Sequence, residues 1–238
     1  MKLSIIIPVY NEEKTVAVVL EKIAKIKLLG VQKEIIIVDD GSTDATASVI
    51  TNYQLPITNL KMIRHKKNSG KGAAVRTGIQ HATGDYILIQ DADLEYNPDD
   101  IPKLLKPILE KKAVVVYGTR LQRLPNFGRD ERRLQFFVHY VGNRLLSLLT
   151  SILYGQWITD METCYKIFPR NALSGVSLRA ISFELEPEIT AKLCKKGYKI
   201  TELPISTNPR GYEEGKKLHT IRDGYKAVFC IIKYRFVN

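Results

Sequence analysis

Over its first 120 residues the chain alternates continuous apolar runs with segments whose apolar residues fall at helical spacing, and this rhythm limits the possible folds most. Leu3–Val9, Glu34–Asp39, Leu60–Arg64, Asp85–Gln90 and Ala113–Gly118 read as buried strands, the third weaker than the others. Between them, Glu12–Lys27 places apolar residues at 16, 19, 20, 23 and 26, which predicts a helix. Ser42 and Thr43 precede a second helix reaching about Tyr53, with Asp44 in its first turn, where the helix dipole favours an acid. Gly72–Ala82 and Asp99–Lys111 predict two more. Strands apolar on both faces must be covered on both faces. The expected fold class is therefore α/β, a mostly parallel central sheet with helices on both faces. Ligands of such sheets bind outside the carboxyl ends of the strands.

After Gly118 the rhythm breaks. Leu121–Arg133 is a polar, basic stretch that reads as a mobile loop, followed by a long amphipathic helix over Leu134–Leu153. A strand over Thr159–Phe168, a helix over Glu184–Lys195, a strand over Tyr198–Ser206, a Gly-rich basic loop over Asn208–Lys217 and a closing helix over Ile221–Tyr234 complete the reading. No repeat or linker marks a boundary, and 238 residues fit one α/β domain, so residues 1–238 are expected to form a single domain. Three cysteines, Cys164, Cys194 and Cys230, are too few for a disulfide framework; a reduced, cytosolic setting with inert core thiols is expected. No run of 18 apolar residues without charge occurs, and Pro8 with the following acids comes too early for a signal peptide, so neither a membrane span nor export is expected. The net charge of +11 favours anionic partners: phosphates, nucleic acid or an acidic lipid surface.

Three strand ends carry the candidate chemistry. Asp91-Ala92-Asp93, continuing to Leu94-Glu95, follows the fourth strand. Two carboxylates so close repel unless a hard divalent cation joins them, and such a cation leaves sites for substrate phosphates. The alternative is that they cap the next turn or pair with lysines. At the second strand end, Asp40 could accept hydrogen bonds from a base or ribose, whereas Asp39 and Ser42 are expected to shape a helix N-terminus. At the first, Tyr10 could lie along a nucleobase and Glu12 could bind its amino edge, or Glu12 could serve the helix that follows.

Asn68-Ser69-Gly70-Lys71-Gly72 is not a P-loop, because His65 stands where that motif needs glycine and Gly72 where it needs Ser or Thr; a turn presenting Lys71 remains. No G-x-G-x-x-G follows the first strand. Ordinary ATPase and dinucleotide oxidoreductase readings are thereby excluded. The four histidines lack metal-ligand spacing, and no Ser/His/Asp or Cys/His set stands out. Arg120, and Arg210 with Lys216 in the late loop, are candidate phosphate clamps, the loop's glycines allowing it to fold over a ligand.

Taken together, Ile5-Ile6-Ile7-Pro8-Val9-Tyr10-Asn11-Glu12, Val38-Asp39-Asp40-Gly41-Ser42, Gly70-Lys71-Gly72, Gly84-Asp85-Tyr86, Asp91-Ala92-Asp93 and Gly118-Thr119-Arg120 resemble the family 2 glycosyltransferases of the GT-A fold. Thr159–Lys166, Phe183–Glu188 and the Arg210–Lys216 loop resemble the polyprenyl-phosphate (dolichyl-phosphate) hexose synthase branch. The resemblance implies a nucleotide-sugar-binding half, 1–120, and an acceptor-binding half, 121–238. It implies that Pro8, Tyr10, Glu12, Val38 and Asp40 hold the nucleoside, with Lys71, Asp91 and Ala92 also on the nucleotide sugar. Asp91, Asp93 and Glu95 would hold Mg²⁺ or Mn²⁺, although relatives often carry Gln at the last position. Arg120, Arg132, Arg210 and Lys216 would bind donor or acceptor phosphates. Glu213-Glu214-Gly215 replaces the Gly-Glu-Ser of dolichyl-phosphate mannose synthases, which favours UDP-glucose over GDP-mannose.

The reaction so implied is one in-line displacement with inversion, with Asp93, Arg120 and Asp160 as catalytic residues. A lipid phosphate acceptor is anionic at pH 7 and needs no strong base; an alcohol acceptor would want a carboxylate, for which Asp160 or Glu162 are candidates. Leu134–Tyr154 and Tyr225–Phe236 are rich in large apolar residues with interspersed cations, as interfacial helices are, so a peripheral position on an anionic cytoplasmic membrane face is expected. Core packing or a dimer interface would use the same residues. The nearest rival is a glycosyltransferase acting on a polysaccharide or glycan; a non-catalytic nucleotide-sugar-binding module is more remote. A pyrophosphorylase would need a Gly-rich, Arg-containing loop after the first strand, and no nucleic-acid-binding pattern occurs, so nucleic acid is not an expected partner.

Overall fold

A computed structural model of the chain describes residues 1–53, 59–121, 134–208 and 220–237. Its elements are β1 (Lys2–Val9), α1 (Val16–Lys25), β2 (Gln32–Asp39), α2 (Thr46–Asn52), β3 (Leu60–Arg64), α3 (Lys71–His81), β4 (Tyr86–Ile89), α4 (Ile101–Leu109), β5 (Val115–Thr119), α5 (Leu134–Tyr154), β6 (Lys166–Pro169), α6 (Leu185–Lys195), β7 (Ile200–Pro204) and α7 (Thr220–Phe236). All seven strands join one sheet in the order β3-β2-β1-β4-β6-β5-β7. Pairing is parallel except around β6, which runs antiparallel to both β4 and β5. The sheet is α/β and mostly parallel, as expected.

The strand order reverses at β1: the chain moves outward to β2 and β3, then returns to place β4 on the other side. Right-handed crossovers therefore set α1 and α2 on one face and α3 on the other. Covered on both sides, the central strands bury consecutive residues: Ile5, Ile6 and Ile7, Ile35 to Val38, and Ile87 to Ile89 are all fully inaccessible. Gly78 lets α3 lie directly on β1, since a Cβ there would strike the Ile6 side chain.

Two boundaries differ from the sequence expectation for physical reasons. Helix α1 begins at Val16 rather than Glu12 because Asn11 adopts a left-handed conformation (φ 50°), and the Glu12 carbonyl accepts from Thr15 N and Val16 N. The strand expected over Thr159–Phe168 shrinks to Lys166–Pro169. Its earlier amides are taken by side chains instead of a ladder: Thr159 N and Asp160 N donate to the Glu202 carboxylate (2.8 and 3.0 Å), Met161 N to Ser147 Oγ (2.9 Å) and Cys164 N to Tyr96 Oη (3.0 Å). That segment becomes a wall of the site.

At the opposite edge, Glu34 ties β1, β2 and the turn before β4 together. It accepts from Lys2 Nζ (2.9 Å), Ser4 Oγ (2.5 Å), Thr83 N (2.8 Å) and Thr83 Oγ1 (2.6 Å). Burial opposes its charge, but these donors outweigh that and lower its pKa to about 2. The folded value lies below the unfolded one, so this stabilisation is present above pH about 4.5 and is lost as pH falls toward 2. Glu34→Ala should cost about 1–3 kcal/mol at pH 7 in urea unfolding, and the gap from the parent should close by pH 2. A gap independent of pH would contradict the ionic role.

Candidate active site

The carboxyl ends of β1 and β2 are knitted by their own loops. Ser42 N donates to Asp39 Oδ1 (2.9 Å), and Ser42 Oγ accepts from Asn11 N (3.0 Å). Asp39 and Ser42 therefore join two strand ends; they do not open α2, which starts only at Thr46. Asp40 is almost wholly buried and accepts from Gly70 N (2.7 Å) and Ser69 N (3.0 Å), with His65 Nδ1 at 2.6 Å. His65 Nε2 meets Thr77 Oγ1 at 2.9 Å, so the ring links Asp40 to α3. Pro8 and Val38 sit opposite each other in the β1–β2 register, and half-buried Tyr10 and Glu12 follow β1. Glu12 Oε2 accepts from Thr15 Oγ1 (2.8 Å), so this acid also serves the start of α1.

Beyond β4, Asp91 faces a cation. Lys71, the first residue of α3, places Nζ 2.8 Å from Asp91 Oδ1, 3.5 Å from Cys164 Sγ and 3.6 Å from Glu186 Oε1. Burial alone would lower the pKa of this ammonium, but Asp91, Cys164 and Glu186 outweigh it and hold it well above its ordinary value. Ala92 is buried, and Leu94 takes a left-handed conformation (φ 63°) that is uncommon for a branched side chain. Asp93 accepts from Glu95 N (3.1 Å), yet burial, then the charges of Asp91 and Glu95, push its carboxyl up to about 7.

At the end of β5, Arg120 is clamped. Its Nε and Nη2 reach Asp160 Oδ2 and Oδ1 at 2.8 and 2.7 Å, and its backbone N donates to Oδ2 at 2.8 Å. Asn143 Nδ2, from α5, adds a bond to Oδ1 (3.0 Å). Burial works against the Asp160 charge, but Arg120 prevails and holds the carboxyl below its usual range. The guanidinium also lies over the Tyr96 ring (5.8 Å). Behind it, buried Lys166 pairs with Glu186 Oε2 (2.6 Å) and donates to Met161 O (2.9 Å). Glu162 is different: burial and the Glu186 charge, against the pull of Lys166, push its carboxyl up to about 7. Among the described residues, Glu162 Oε1, Glu186 Oε1 and Asn143 Oδ1 are buried acceptors without a hydrogen-bond partner. Three acceptors in this condition suit a ligand rich in hydroxyl donors.

The structure thus brings Lys71 to Asp91, and Arg120 to Asp160. Arg132, Arg210 and Lys216 lie outside the described residues. Asn143 and Tyr96 were not singled out from the sequence, and Glu186 and Lys166 entered only within the Phe183–Glu188 and Thr159–Lys166 motifs. A cation was tested against this donor set. The repulsion that raises Asp93 is what a hard cation would relieve. However, among the described residues no three His, Cys, Asp or Glu side chains converge to hold a metal by themselves. Asp91, Asp93 and Glu95 therefore form no closed cage, in part because Asp91 is engaged by Lys71. The arrangement fits a cation that draws its remaining ligands from water and substrate phosphates.

Comparison with known proteins bears on this geometry. The sequence profile of glycosyl transferase family 2 matches residues 4–176. A UDP-N-acetylglucosamine–dolichyl-phosphate N-acetylglucosaminyltransferase of Methanococcus voltae is 32% identical, over 96% of this chain and 94% of that protein. A dolichyl-phosphate beta-glucosyltransferase of Trichomonas vaginalis is 30% identical, over 87% of this chain and 65% of its own length. The crystal structure of glucosyl-3-phosphoglycerate synthase from Mycobacterium tuberculosis, in complex with Mn²⁺, UDP and phosphoglyceric acid, superposes with a TM-score of 0.71 at 19% identity, covering all of this chain and 79% of that one. The same enzyme is also known with Mg²⁺ and UDP.

Two outcomes are expected of the site itself. In the metal-free protein, carboxyl ¹³C NMR should show Asp93 titrating near pH 7; a value near 4 would remove the crowding inferred here. Asp160→Ala should cost about 3–5 kcal/mol in urea unfolding, because it leaves a buried guanidinium without its partner. A loss below 1 kcal/mol would show that Arg120 is held by other means.

Proposed function

The chain belongs to glycosyl transferase family 2, with a nucleotide-sugar donor, and from that premise we propose that it transfers a hexose to a polyprenyl or dolichyl phosphate at a membrane surface. UDP-glucose is the favoured donor and GDP-mannose the second. The observation that carries this reading is the pair of unlike devices on the ends of β4 and β5, the two strands that flank β6. Crowded carboxylates at β4 suit a cation-bound diphosphate, and a clamped guanidinium at β5 suits an anionic oxygen. Both relatives of about 30% identity carry dolichyl phosphate in their names, which supports the acceptor.

In the proposed reaction an oxygen of the lipid phosphate attacks the anomeric carbon while that carbon's bond to the diphosphate breaks. The product is inverted, and the nucleoside diphosphate leaves. Pro8, Tyr10, Glu12, Val38 and Asp40 border the nucleoside. Asp91, Asp93 and Glu95 stand beside the diphosphate, with Asp93 the carboxylate most in need of a cation. Mg²⁺ or Mn²⁺ bound there would neutralise charge on the leaving group. Lys71 is released from Asp91 as the diphosphate arrives. Arg120 is oriented by Asp160 before substrate binds, so its charge is placed without reorganisation. Asp160 already accepts four hydrogen bonds and is held ionised; it positions Arg120 and is badly placed to accept a proton. Arg132, Arg210 and Lys216 are assigned to phosphates by resemblance alone. The unpartnered oxygens of Glu162, Glu186 and Asn143 would take hexose hydroxyls.

A membrane position is supported by exposed apolar stripes. Helix α7 exposes Tyr225, Phe229, Ile232 and Phe236 at spacings of one helical turn, with Arg235 beside them. Helix α5 exposes Leu145, Leu148 and Ile152 in the same manner. No helix among the described residues is long and apolar enough to cross a membrane. Helices of this kind lie in an interface, and each nearby Lys or Arg adds roughly 1 kcal/mol on anionic lipid.

One observation favours the rival, a glycan acceptor. Glu162, pushed up to about 7 with a free oxygen, is a carboxylate able to take a proton from an alcohol. Radiolabelled UDP-glucose with polyprenyl phosphate and Mn²⁺ separates the two. Label should enter an organic-extractable lipid, EDTA should abolish the transfer, and Arg120→Ala should lower kcat about 10²–10³-fold. Label only in water-soluble glycan would end the lipid reading.

A further inference from the structure

At the β3 end of the sheet's carboxyl edge the molecule collects positive charge that the proposed transfer does not use. Where β3 ends, His65, Lys66 and Lys67 lead into the turn before α3. Two adjoining cavities of about 610 and 440 Å³ open there. Both are lined by Arg64, His65 and Lys66; the larger adds Lys67 and Arg76, and among the described residues no acidic side chain lines either. None of Tyr10, Glu12, Lys71, Asp91 and Asp93 takes part.

The walls of this trough are fixed. Arg64 Nη2 donates to Ser42 O (3.0 Å), and its Nε lies 3.1 Å from Asp39 Oδ2, while more than half of the side chain remains exposed. Arg76 is tied by Nη1 to Ala180 O. His65 is held between Asp40 and Thr77. The turn itself is pinned against Gly41 (φ 74°), where a Cβ would meet the Lys67 carbonyl carbon at 2.6 Å. Asp39 and Asp40 lie behind the lining, against Arg64 and His65. Both are buried beneath the surface, one engaged by Ser42 N and Arg64, the other by Ser69 N, Gly70 N and His65. Lys66 and Lys67 are exposed and reach over the opening. Two anchored guanidiniums, with two exposed ammoniums beside them, focus a positive potential on a concave surface, and the guanidiniums have little ordering left to lose on binding.

We propose that this trough is a second anion site, built for a phosphate-bearing ligand and distinct from the carboxylates that follow β4. Its chemistry is shared by two sources, the headgroups of an anionic membrane and a free polyphosphate. The site needs no divalent cation, which distinguishes it from the donor site, where carboxylates would repel a bare phosphate.

The test is titration of the full chain with tripolyphosphate in EDTA, alongside flotation on phosphatidylglycerol and phosphatidylcholine vesicles. The Lys66→Glu/Lys67→Glu double variant should lose about tenfold or more in tripolyphosphate affinity, while UDP-glucose binding in Mn²⁺ stays within about twofold of the parent. If phosphatidylglycerol flotation falls with it, the source is the headgroup; if only tripolyphosphate binding falls, it is the free anion. Either result supports the site. Equal tripolyphosphate and vesicle binding by parent and variant would overturn it, as would displacement of tripolyphosphate by UDP-glucose in EDTA. Because the tripolyphosphate and vesicle arms run without metal and none of the arms measures transfer, the site can fail while the transferase reading stands, and the reverse.

Discussion

Negative charge gathered at the carboxyl edge of the sheet is the constraint on which the rest of this structure depends. Asp91, Asp160 and Glu186 stand at or behind that edge, the last two buried and Asp91 partly so, and each meets a cation drawn from elsewhere in the chain. Lys71 comes from the start of α3, Arg120 from the end of β5 and Lys166 from the start of β6. A buried carboxylate without such a partner would be several kcal/mol out of balance. The Lys71–Asp91 pair ties the start of α3 to the end of β4, and the Arg120–Asp160 and Lys166–Glu186 pairs tie residues 160–166 to β5 and α6.

The same pairs leave deliberate imbalances. Asp93 and Glu162 have no comparable cation, and both are pushed up to about 7. Groups displaced this far by burial and like charge concentrate where chemistry occurs. One sits beyond β4, where a diphosphate and its cation would dissipate the crowding. The other sits across from it, beside Arg120, on the side assigned to the acceptor. Fold stability and the proposed function are thus linked through charge: the paired acids hold the walls, and the unpaired ones are left for the ligand that the proposed reaction brings.

Much of this was legible in the chain. Strands β1 to β5 and most of the helices lie within a few residues of their expected places, because continuous apolar runs and helical spacing are local signals. The strand-end acids were visible for the same reason, and the order of motifs carried the family. What could not be read was long-range pairing. Nothing near Lys166 in sequence announces Glu186, and nothing near Thr159 announces that Glu202 will take its amide. The strand expected over Thr159–Phe168 contracted for that reason. Ser42 looked like a helix opener because local patterns cannot reveal Asn11, which claims its hydroxyl. The Lys66–Lys67 turn drew no reading from the sequence, since concavity is a property of the fold.

The central claim is that the acidic end of β4 receives the diphosphate of an activated sugar. A crystal grown with UDP-glucose and Mn²⁺, and measured at the manganese absorption edge, tests it most directly. The account predicts an anomalous peak in contact with Asp93 and the diphosphate, with Lys71 drawn away from Asp91. A nucleotide bound elsewhere, or a peak distant from Asp93 with the Lys71–Asp91 pair intact, would contradict it.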